Sequence, residues 1–312
     1  MRTVTENAEK KKIFFALGTV NTLTYFNDSY EKTVNEAVNR VRKLHDIFSA
    51  FDENSDIGRI NNNAGIAPVK VSDETLYLIS SSIMYSELTD GAFDITTKVL
   101  SKIWRSAVSS GCEPLKYEIE KAVRSVNYKD IIIDKNKKTV MLRKKGQEID
   151  LGAIAKGFAA DEVKKIFESH GIKNAIINLG GTVITIGEKT VGLQNPFKNT
   201  GVSFGKLKLK DKVIVSSGTY EQCALINKKF VHHIVDTKTG CPARTDLKAV
   251  TLVGDNAEEL DVLSTAVLIK GIKNGMELLK AGNIEAVFVT DEGNIYATHG
   301  LKNNLILQES ES

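Results

Sequence analysis

Short runs of β-branched residues dominate the chain after Cys112, and this feature constrains the fold more than any other. Seven runs of five to seven residues are bounded by Gly, Asn, Asp or Lys, which is the pattern of β-strands. They are DIIID (130–134), TVMLR (139–143), NAIINL (174–179), TVITIG (182–187), KVIVSSG (212–218), AVTLVG (249–254) and EAVFVT (285–290). Two helical patterns interrupt them, around residues 155–169 and 257–270. Because a doubly wound fold would alternate strands and helices regularly, the sequence predicts an α+β fold with mixed or antiparallel sheets and flanking helices.

Two further helices are predicted before this region. Between Tyr30 and Phe48, apolar residues recur at steps of three and four, which is the spacing of an amphipathic helix. A second helix is expected to begin after Ser72, because serine is a favourable N-cap and Asp73 and Glu74 would occupy the first turn. These are the first of the helices expected to flank the sheets.

The composition is that of an ordinary globular protein. The 312 residues are 42% hydrophobic, and 42 Lys and Arg nearly balance 39 Asp and Glu, giving a net charge of +3. This balance gives no reason to expect nucleic acid or an anionic membrane as a partner. No internal repeat and no Pro- or Ser-rich linker is present. We therefore expect a single domain over residues 13–305, with polar tails at 1–12 and 306–312.

The cysteines and the N-terminal segment bear on location. Three cysteines without pairing-like or metal-like spacing are compatible with a reducing compartment. The first apolar run is five residues long, too short for the core of a signal peptide, and no cysteine follows it to be lipidated. No apolar run approaches the ~20 residues of a membrane helix. We expect a cytoplasmic protein without a direct membrane span, or an exported lipoprotein if a leader was removed.

The segment AEELDVLSTAVLIKG (257–271) carries a candidate metal site. Asp261 and Thr265 are four residues apart and share one helical face, with Ser264 beside them. Carboxylate and hydroxyl oxygens are hard ligands that suit Mg²⁺ or Ca²⁺ better than zinc. On the spacing alone, a helix-surface aspartate that makes local hydrogen bonds is the simpler interpretation.

The segment IDLGAIAKGF (149–158) is a candidate anion site. It predicts a strand ending near Asp150, a turn through Gly152–Ala153 and a helix from about Ala155. A helix N-terminus attracts anions, and Lys156 in its first turn could contact a phosphate or a polar ring edge. Asp150 could hold the hydrogen-bond donors of a ligand. The alternative is an ordinary helix start from which Lys156 extends into solvent, and the segment lacks the pattern of a Walker loop.

Two other segments suggest ligand contacts. INLGG places Gly180 and Gly181 in mid-strand, which predicts a bulge or a ligand close to the backbone. HHIVDTKTG places His232 and His233 before a turn, but no third and fourth ligand has the spacing of a zinc site. His233 is therefore a candidate general acid or base. A role in a structural hydrogen-bond network is the competing interpretation.

The order of these segments closely resembles that of the ApbE-type flavin transferases, the Mg²⁺-dependent FAD:protein FMN transferases. The series is LGTVNT (17–22), FDENSDIGRIN (51–61), DGAFDITTKVL (90–100), IDLGAIAKGF, INLGG, VSSGTYE (215–221), HHIVDTKTG and ELDVLSTA. The resemblance runs from about residue 13 to about residue 305, and DLGxIAKG with HHIxD and DxLSTA is its most specific part. It implies an ApbE-like, T-fold-related fold in which FAD lies in a cleft with its diphosphate on Mg²⁺.

The resemblance also implies roles for individual residues. The metal ligands would be the Ala153 carbonyl, Asp261 and Thr265, with Ser264 a ligand in some relatives. Separately from the resemblance, we take His233 as the candidate for proton transfer. The implied FAD contacts are Leu17, Phe51, Ala92, Phe93, Asp94, Asp150, Lys156 and Val235.

The chain also departs from the usual pattern of the family. Leu17 stands at a common Met position, Phe51 at a common Tyr position and Thr182 at a usually acidic or amide position. Ile95 and Thr237 each replace a common proline. These differences affect details of the expected flavin contacts and remove no implied metal ligand.

The reaction implied is transfer of FMN from FAD to a Thr or Ser hydroxyl of an acceptor protein, with release of AMP. The acceptor would be a flavoprotein or flavoprotein domain, such as a redox-complex subunit or a cytoplasmic reductase. An alternative is a Mg²⁺-dependent FAD pyrophosphatase, in which water replaces the acceptor hydroxyl. A second alternative is a non-catalytic FAD-binding module, against which Lys156, Asp261 and Thr265 argue, because a passive binder needs no metal on the diphosphate.

Overall fold

The computed structural model describes residues 8–220, 223–227, 229–280 and 282–308. Its strands are β1 (Lys10–Ala16), β2 (Thr19–Tyr25), β3 (Val69–Lys70), β4 (Ile131–Asp134), β5 (Thr139–Leu142), β6 (Ala175–Leu179), β7 (Thr182–Ile186), β8 (Glu188–Gln194), β9 (Ser203–Lys210), β10 (Val213–Gly218), β11 (Cys223–Ile226), β12 (Lys229–His232), β13 (Leu247–Gly254), β14 (Glu285–Thr290), β15 (Ile295–Ala297) and β16 (Leu305–Leu307). The helices are α1 (Glu31–Phe48), α2 (Asp56–Asn62), α3 (Asp73–Leu88), α4 (Lys98–Ser110), α5 (Lys116–Val123), α6 (Ala155–Ser169) and α7 (Ala257–Leu279).

An eight-stranded antiparallel sheet forms the centre of the fold, in the order β1-β2-β6-β7-β10-β13-β14-β15. Helices α1, α6 and α7 pack on its inner face and enclose the largest apolar cluster. On the outer face, the three-stranded sheet β16-β9-β8 packs against β7, β10, β13 and β14. The sheet is thus covered on both faces over most of its width.

Two smaller units complete the structure. Strands β3, β5 and β4 form a three-stranded antiparallel sheet. The β11–β12 hairpin packs with α4 and α5 around a separate apolar cluster that contains Leu100, Trp104 and Val231. The Trp104 indole N–H donates to the Gly240 carbonyl at 2.7 Å. This contact anchors the chain that follows β12 to α4.

The α+β fold expected from the sequence is confirmed, because helices flank antiparallel sheets and all seven predicted strands are present. The helices predicted from Tyr30 and Ser72 are also present, and the Ser72 hydroxyl caps α3 by accepting from the Thr75 N–H. Helix α7 continues nine residues beyond the predicted end at residue 270, to Leu279, with a bend at Gly271, whose φ of 75° lies outside the helical range.

Three local expectations differ from the structure. Gly180 and Gly181 are not in mid-strand: they form the two-residue turn between β6 and β7, with φ values of 57° and 92°. The prediction of a strand that ends near Asp150 is also wrong, since residues 147–150 have no regular structure. β1 begins at Lys10, within the range expected to be the N-terminal tail, and β16 ends at Leu307, within the range expected to be the C-terminal tail. No helix in the described part of the chain is long and apolar enough to cross a membrane.

Candidate functional site

A cleft of about 610 Å³ opens where the β1–β2 turn, the loop after α1 and the segment before α6 approach α7. Its lining includes every site residue predicted from the sequence except Ser264. The predicted residues in the lining are Leu17, Phe51, Ala92, Phe93, Asp94, Asp150, Ala153, Lys156, His233, Val235, Asp261 and Thr265. Segments far apart in the sequence thus meet in one cavity, whose volume is in the range of ligand-binding pockets.

One side of the cleft is the contact between the first turn of α6 and α7. Gly157 permits this contact, because a Cβ there would lie 2.2 Å from the carbonyl oxygen of Ala257. The Asp261 carboxylate accepts the Gly157 N–H at 3.0 Å and lies 3.3 Å from the Lys156 ammonium. Asp261 is only 3% exposed, so its attraction to the lysine is weakly screened by water. The two helices are therefore joined through groups that line the cleft.

The same hydrogen bond affects a backbone carbonyl before α6. In a regular helix the Gly157 N–H would donate to the Ala153 carbonyl, four residues earlier. Here that N–H donates to Asp261 instead. Within the described ranges no backbone N–H donates to the Ala153 oxygen. A carbonyl of a residue in the cleft lining is thereby left available to a ligand.

Thr265 and Ser264 have different surroundings on α7. Thr265 lines the cleft one helical turn after Asp261, with its hydroxyl 3.4 Å from the Asp261 carbonyl. Ser264 is fully buried, and its hydroxyl lies 2.8 Å from that of Ser217 on β10. Ser264 also donates to the Asp261 carbonyl at 3.0 Å. Its hydroxyl therefore links α7 to the sheet, and Ser217 is the member of this pair that lines the cleft.

The donor set at the α6–α7 contact fits a hard cation. A carboxylate from Asp261, a hydroxyl from Thr265 and a carbonyl from Ala153 are oxygen donors, which Mg²⁺ prefers. Mg²⁺ commonly binds one or two carboxylates and completes its shell with water and phosphate oxygens. Across the described residues, no three His, Cys, Asp or Glu side chains are grouped as a metal site. The arrangement suits a cation shared between the protein and a bound phosphate.

Two other carboxylates of the cleft have local backbone partners. Asp94 caps the 3₁₀ turn before α4, accepting from the Thr96 N–H at 2.8 Å and from the Tyr128 N–H at 3.0 Å. Burial raises the pKa of the Asp94 carboxyl. Asp150 accepts the Gly152 N–H at 2.7 Å. Both carboxylates therefore fix the loops that form the cleft wall, in addition to any contact with a ligand.

The family model that matches this chain describes the ApbE family and covers residues 17–288. The chain belongs to the ApbE family. Among curated relatives, the FAD:protein FMN transferase of Klebsiella pneumoniae is 32% identical over 256 residues, which are 82% of this chain and 81% of that protein. The FAD:protein FMN transferase of Treponema pallidum is 27% identical over 276 residues, or 82% of this chain and 76% of that protein.

Solved structures of the ApbE family share the fold. The ApbE protein of Thermotoga maritima matches with a TM-score of 0.86 at 29% identity, over 95% of this chain and 99% of that one. The flavin transferase ApbE of Vibrio cholerae matches with a TM-score of 0.80 at 23% identity, with the same coverage. The resemblance seen in the sequence is confirmed.

Phe51 lies at the mouth of the cleft and is 82% exposed. The Lys98 ammonium lies 5.2 Å from the centre of its ring, a cation–π contact worth about 0.5–1 kcal/mol at an exposed site. Lys98 is buried and donates to the Ala50 carbonyl, and burial lowers the pKa of its ammonium. Lys98, which was not selected from the sequence, thus contacts both the ring of Phe51 and the backbone of the preceding residue.

The β1–β2 turn brings Leu17 to the cleft through an unusual backbone conformation. Leu17 has a φ of 53°, in the left-handed region. Its N–H donates to Nδ1 of His45 at 3.3 Å. The Asn21 side-chain amide donates to the carbonyls of Ala16 at 3.0 Å and Thr19 at 3.2 Å. His45 and Asn21 were not selected from the sequence, because their role depends on how α1 and β2 contact this turn.

The two adjacent histidines have separate environments. His232 is buried, its Nε2 lies 3.0 Å from the Ala243 carbonyl, and burial lowers the pKa of its imidazole. His233 is half-buried and lines the cleft together with Ile234 and Val235. Of the two histidines, His233 is the one that a ligand in the cleft can reach.

Helix α4 and its N-cap residue add a polar stripe to the cleft. Thr97, Ser101 and Arg105 are spaced by four residues and all line the cavity. The Arg105 guanidinium is exposed, and it forms no hydrogen bond or ion pair within the described part of the chain. These residues were missed from the sequence, although the four-residue spacing after DGAFD was a signal for one helical face.

Proposed function

We propose that this chain is an FAD:protein FMN transferase, which attaches FMN from FAD to a Thr or Ser hydroxyl of an acceptor flavoprotein or flavoprotein domain and releases AMP. The observation that carries the proposal is the contact of Asp261 with Lys156 and Gly157 at the cleft. It brings an ammonium group, a helix N-terminus and hard oxygen donors to one place, which are the groups that a diphosphate and its metal require. The activity named for curated relatives supports the same proposal.

In the proposed reaction, the acceptor hydroxyl oxygen bonds to the phosphorus on the riboflavin side of the FAD diphosphate. The bond between that phosphorus and the bridging oxygen breaks, and AMP leaves with that oxygen. His233 is the candidate group that receives the hydroxyl proton, because its imidazole lines the cleft and imidazole is a common general base.

The proposed cofactor is Mg²⁺, held by the Asp261 carboxylate, the Thr265 hydroxyl and the Ala153 carbonyl. When bound there, it would neutralise charge on the diphosphate as a Lewis acid. Lys156 is held at the cleft by its bond to the Gly152 carbonyl at 2.7 Å and by Asp261. Its fixed positive charge would stabilise negative charge that develops on the phosphate oxygens.

The test is incubation of the protein with FAD, MgCl₂ and a panel of recombinant flavoprotein domains. We expect an acceptor band with covalent flavin fluorescence on a denaturing gel, together with an equal amount of AMP. Asp261→Ala should abolish both. The matched control is Asp73→Ala, because Asp73 is an exposed aspartate whose partner is Lys138.

Two other outcomes would identify a different function, and a third tests the metal assignment. Free FMN and AMP without a labelled acceptor would indicate a FAD pyrophosphatase. FAD that stays intact after long incubation would indicate a non-catalytic FAD-binding module. Unchanged Mg²⁺-dependent AMP release by the Asp261→Ala variant would refute the metal assignment.

A further inference from the structure

The outer face of the central sheet is left bare at one end. The three-stranded sheet β16-β9-β8 covers β7, β10, β13 and β14 with an apolar cluster. At the β1–β2 end, Ile13, Phe15 and Val20 are instead 65%, 65% and 62% exposed. We call these three residues the β1–β2 patch.

Strand register makes the β1–β2 patch continuous. Phe15 is directly opposite Val20 in the antiparallel pair, and Ile13 is two residues before Phe15, on the same face. Their neighbours in β1, Phe14 and Ala16, point into the core. The patch is therefore a consequence of strand alternation, with one face of β1 in the core and the other exposed.

β1 is also the first strand of the sheet, so in the described structure its outer edge is not paired with another strand. Edge strands with free N–H and C=O groups can accept another extended chain, and natural proteins often protect them with lysine. Lys10 and Lys11 lie at the start of β1 and pair with Asp28 and Glu9. The protected end is thus remote from the cleft, and Ile13–Ala16 carries no charge.

The uncharged end of β1 leads directly to the cleft. Ala16 is followed by the turn at Leu17 and Gly18, and Leu17, Gly18 and Thr19 all line the cavity. A strand rises about 3.3 Å per residue, so a segment paired along Ile13–Ala16 would span roughly 13 Å and end at the cleft mouth.

We propose that the β1 edge and the β1–β2 patch dock the acceptor protein, which adds an extended segment alongside β1 and delivers its Ser or Thr hydroxyl into the cleft. This inference rests on the proposed transferase function, because that reaction requires a second protein to enter the cleft. Backbone pairing along β1 would give affinity with little demand on sequence, and the apolar side chains would select alternating apolar residues in the acceptor.

The test compares two double variants with the unsubstituted protein. Ile13→Thr with Phe15→Thr removes most of the patch and keeps β-branched residues on the strand. The matched control is Ile306→Thr with Leu307→Thr, since this pair is 58% and 52% exposed on β16, an edge strand of the β16-β9-β8 sheet. The substrate is the panel domain that gives the strongest flavin fluorescence, varied in concentration at saturating FAD.

We expect the patch variant to lose at least tenfold in kcat/KM for the acceptor, with the dissociation constant for FAD unchanged. The control variant should match the unsubstituted protein in both measurements. Hydrogen exchange adds a direct measurement, because amides of β1 should gain protection when the acceptor is added and those of β16 should not.

Equal kcat/KM values for the two double variants, or no added protection in β1, would overturn the docking proposal while leaving the transferase function intact. Protection of β1 that depends on the concentration of the enzyme alone would assign this edge to a second copy of the chain, and would also overturn it. No labelled acceptor with the unsubstituted protein would instead count against the transferase function itself.

Discussion

Replacing Gly157 with alanine tests whether the close contact of α6 with α7 builds the site. The added Cβ would lie 2.2 Å from the Ala257 carbonyl oxygen and 2.7 Å from the Glu258 Cα, whereas ordinary contacts begin at 3.4 Å. Both neighbours are backbone atoms, so no side-chain rotation relieves the overlap, and the helices must separate by about 1 Å. Such overpacking costs about 3 kcal/mol, and the better helix propensity of alanine returns about 1 kcal/mol. We expect a net loss of about 2 kcal/mol in the free energy of unfolding.

The effect on activity should exceed the effect on stability. Gly157 donates its N–H to Asp261, and Lys156 precedes it, so separation of the helices displaces both charged groups of the cleft. A misplacement of about 1 Å in a reacting site can cost roughly 100-fold in rate. We therefore expect a fall of that size in AMP release under conditions where the variant remains folded.

Urea unfolding and AMP release from FAD measure the two effects separately. The control is Gly192→Ala on β8, where the nearest atom to a new Cβ is at 3.5 Å, so neither quantity should change by much. A Gly157→Ala variant with the stability and the activity of the parent would refute the reasoning that this glycine sets the geometry of Asp261 and Lys156.

Three further predictions concern charged groups. Asp261→Asn keeps an acceptor for the Gly157 N–H but loses the charge, so the Mg²⁺ concentration for half-maximal AMP release should rise at least tenfold; an unchanged value would exclude Asp261 as a ligand. Arg105→Gln should raise the FAD dissociation constant about tenfold, or ~1.4 kcal/mol, while Lys102→Gln on the same helix, outside the cleft lining, should not. The hydrogen bond from Arg40 lowers the pKa of Glu74 from 4.5 to about 2, so the carboxylate contributes stability above pH 4.5 that is lost as the pH falls towards 2. Glu74→Gln should therefore cost about 1 kcal/mol in urea unfolding at pH 6, and its difference from the parent should shrink below pH 4.5.

Features that depend on neighbours in sequence were predicted most accurately. The Ser72 cap of α3 and the start of α6 at Ala155 each involve residues within one helical turn. The seven strands were recognised because their β-branched runs are bounded by turn residues. Such signals depend only on residues that are close in sequence, so a single sequence is enough to recognise them.

Features that depend on partners far along the chain were missed or misplaced. Lys98 reaches the carbonyl of Ala50, and Gly157 donates to Asp261 across more than a hundred residues. Arg105 faces the cleft because of the direction in which α4 packs. Gly180 and Gly181 were assigned to the right region but the wrong element, because two glycines are equally consistent with a bulge and with a two-residue hairpin turn.

Ser264 and Thr265 show that the sequence can predict which helix a residue lies on without predicting which way its side chain faces. Both stand at implied metal-ligand positions, and both are on α7 within one turn of Asp261. They are one residue apart, so they point about 100° away from each other around the helix axis. The packing of α7 on β10 turns the Ser264 hydroxyl to Ser217 and leaves Thr265 in the cleft. Because that packing depends on how the helix meets the sheet, no pattern within the helix itself could have separated the two residues.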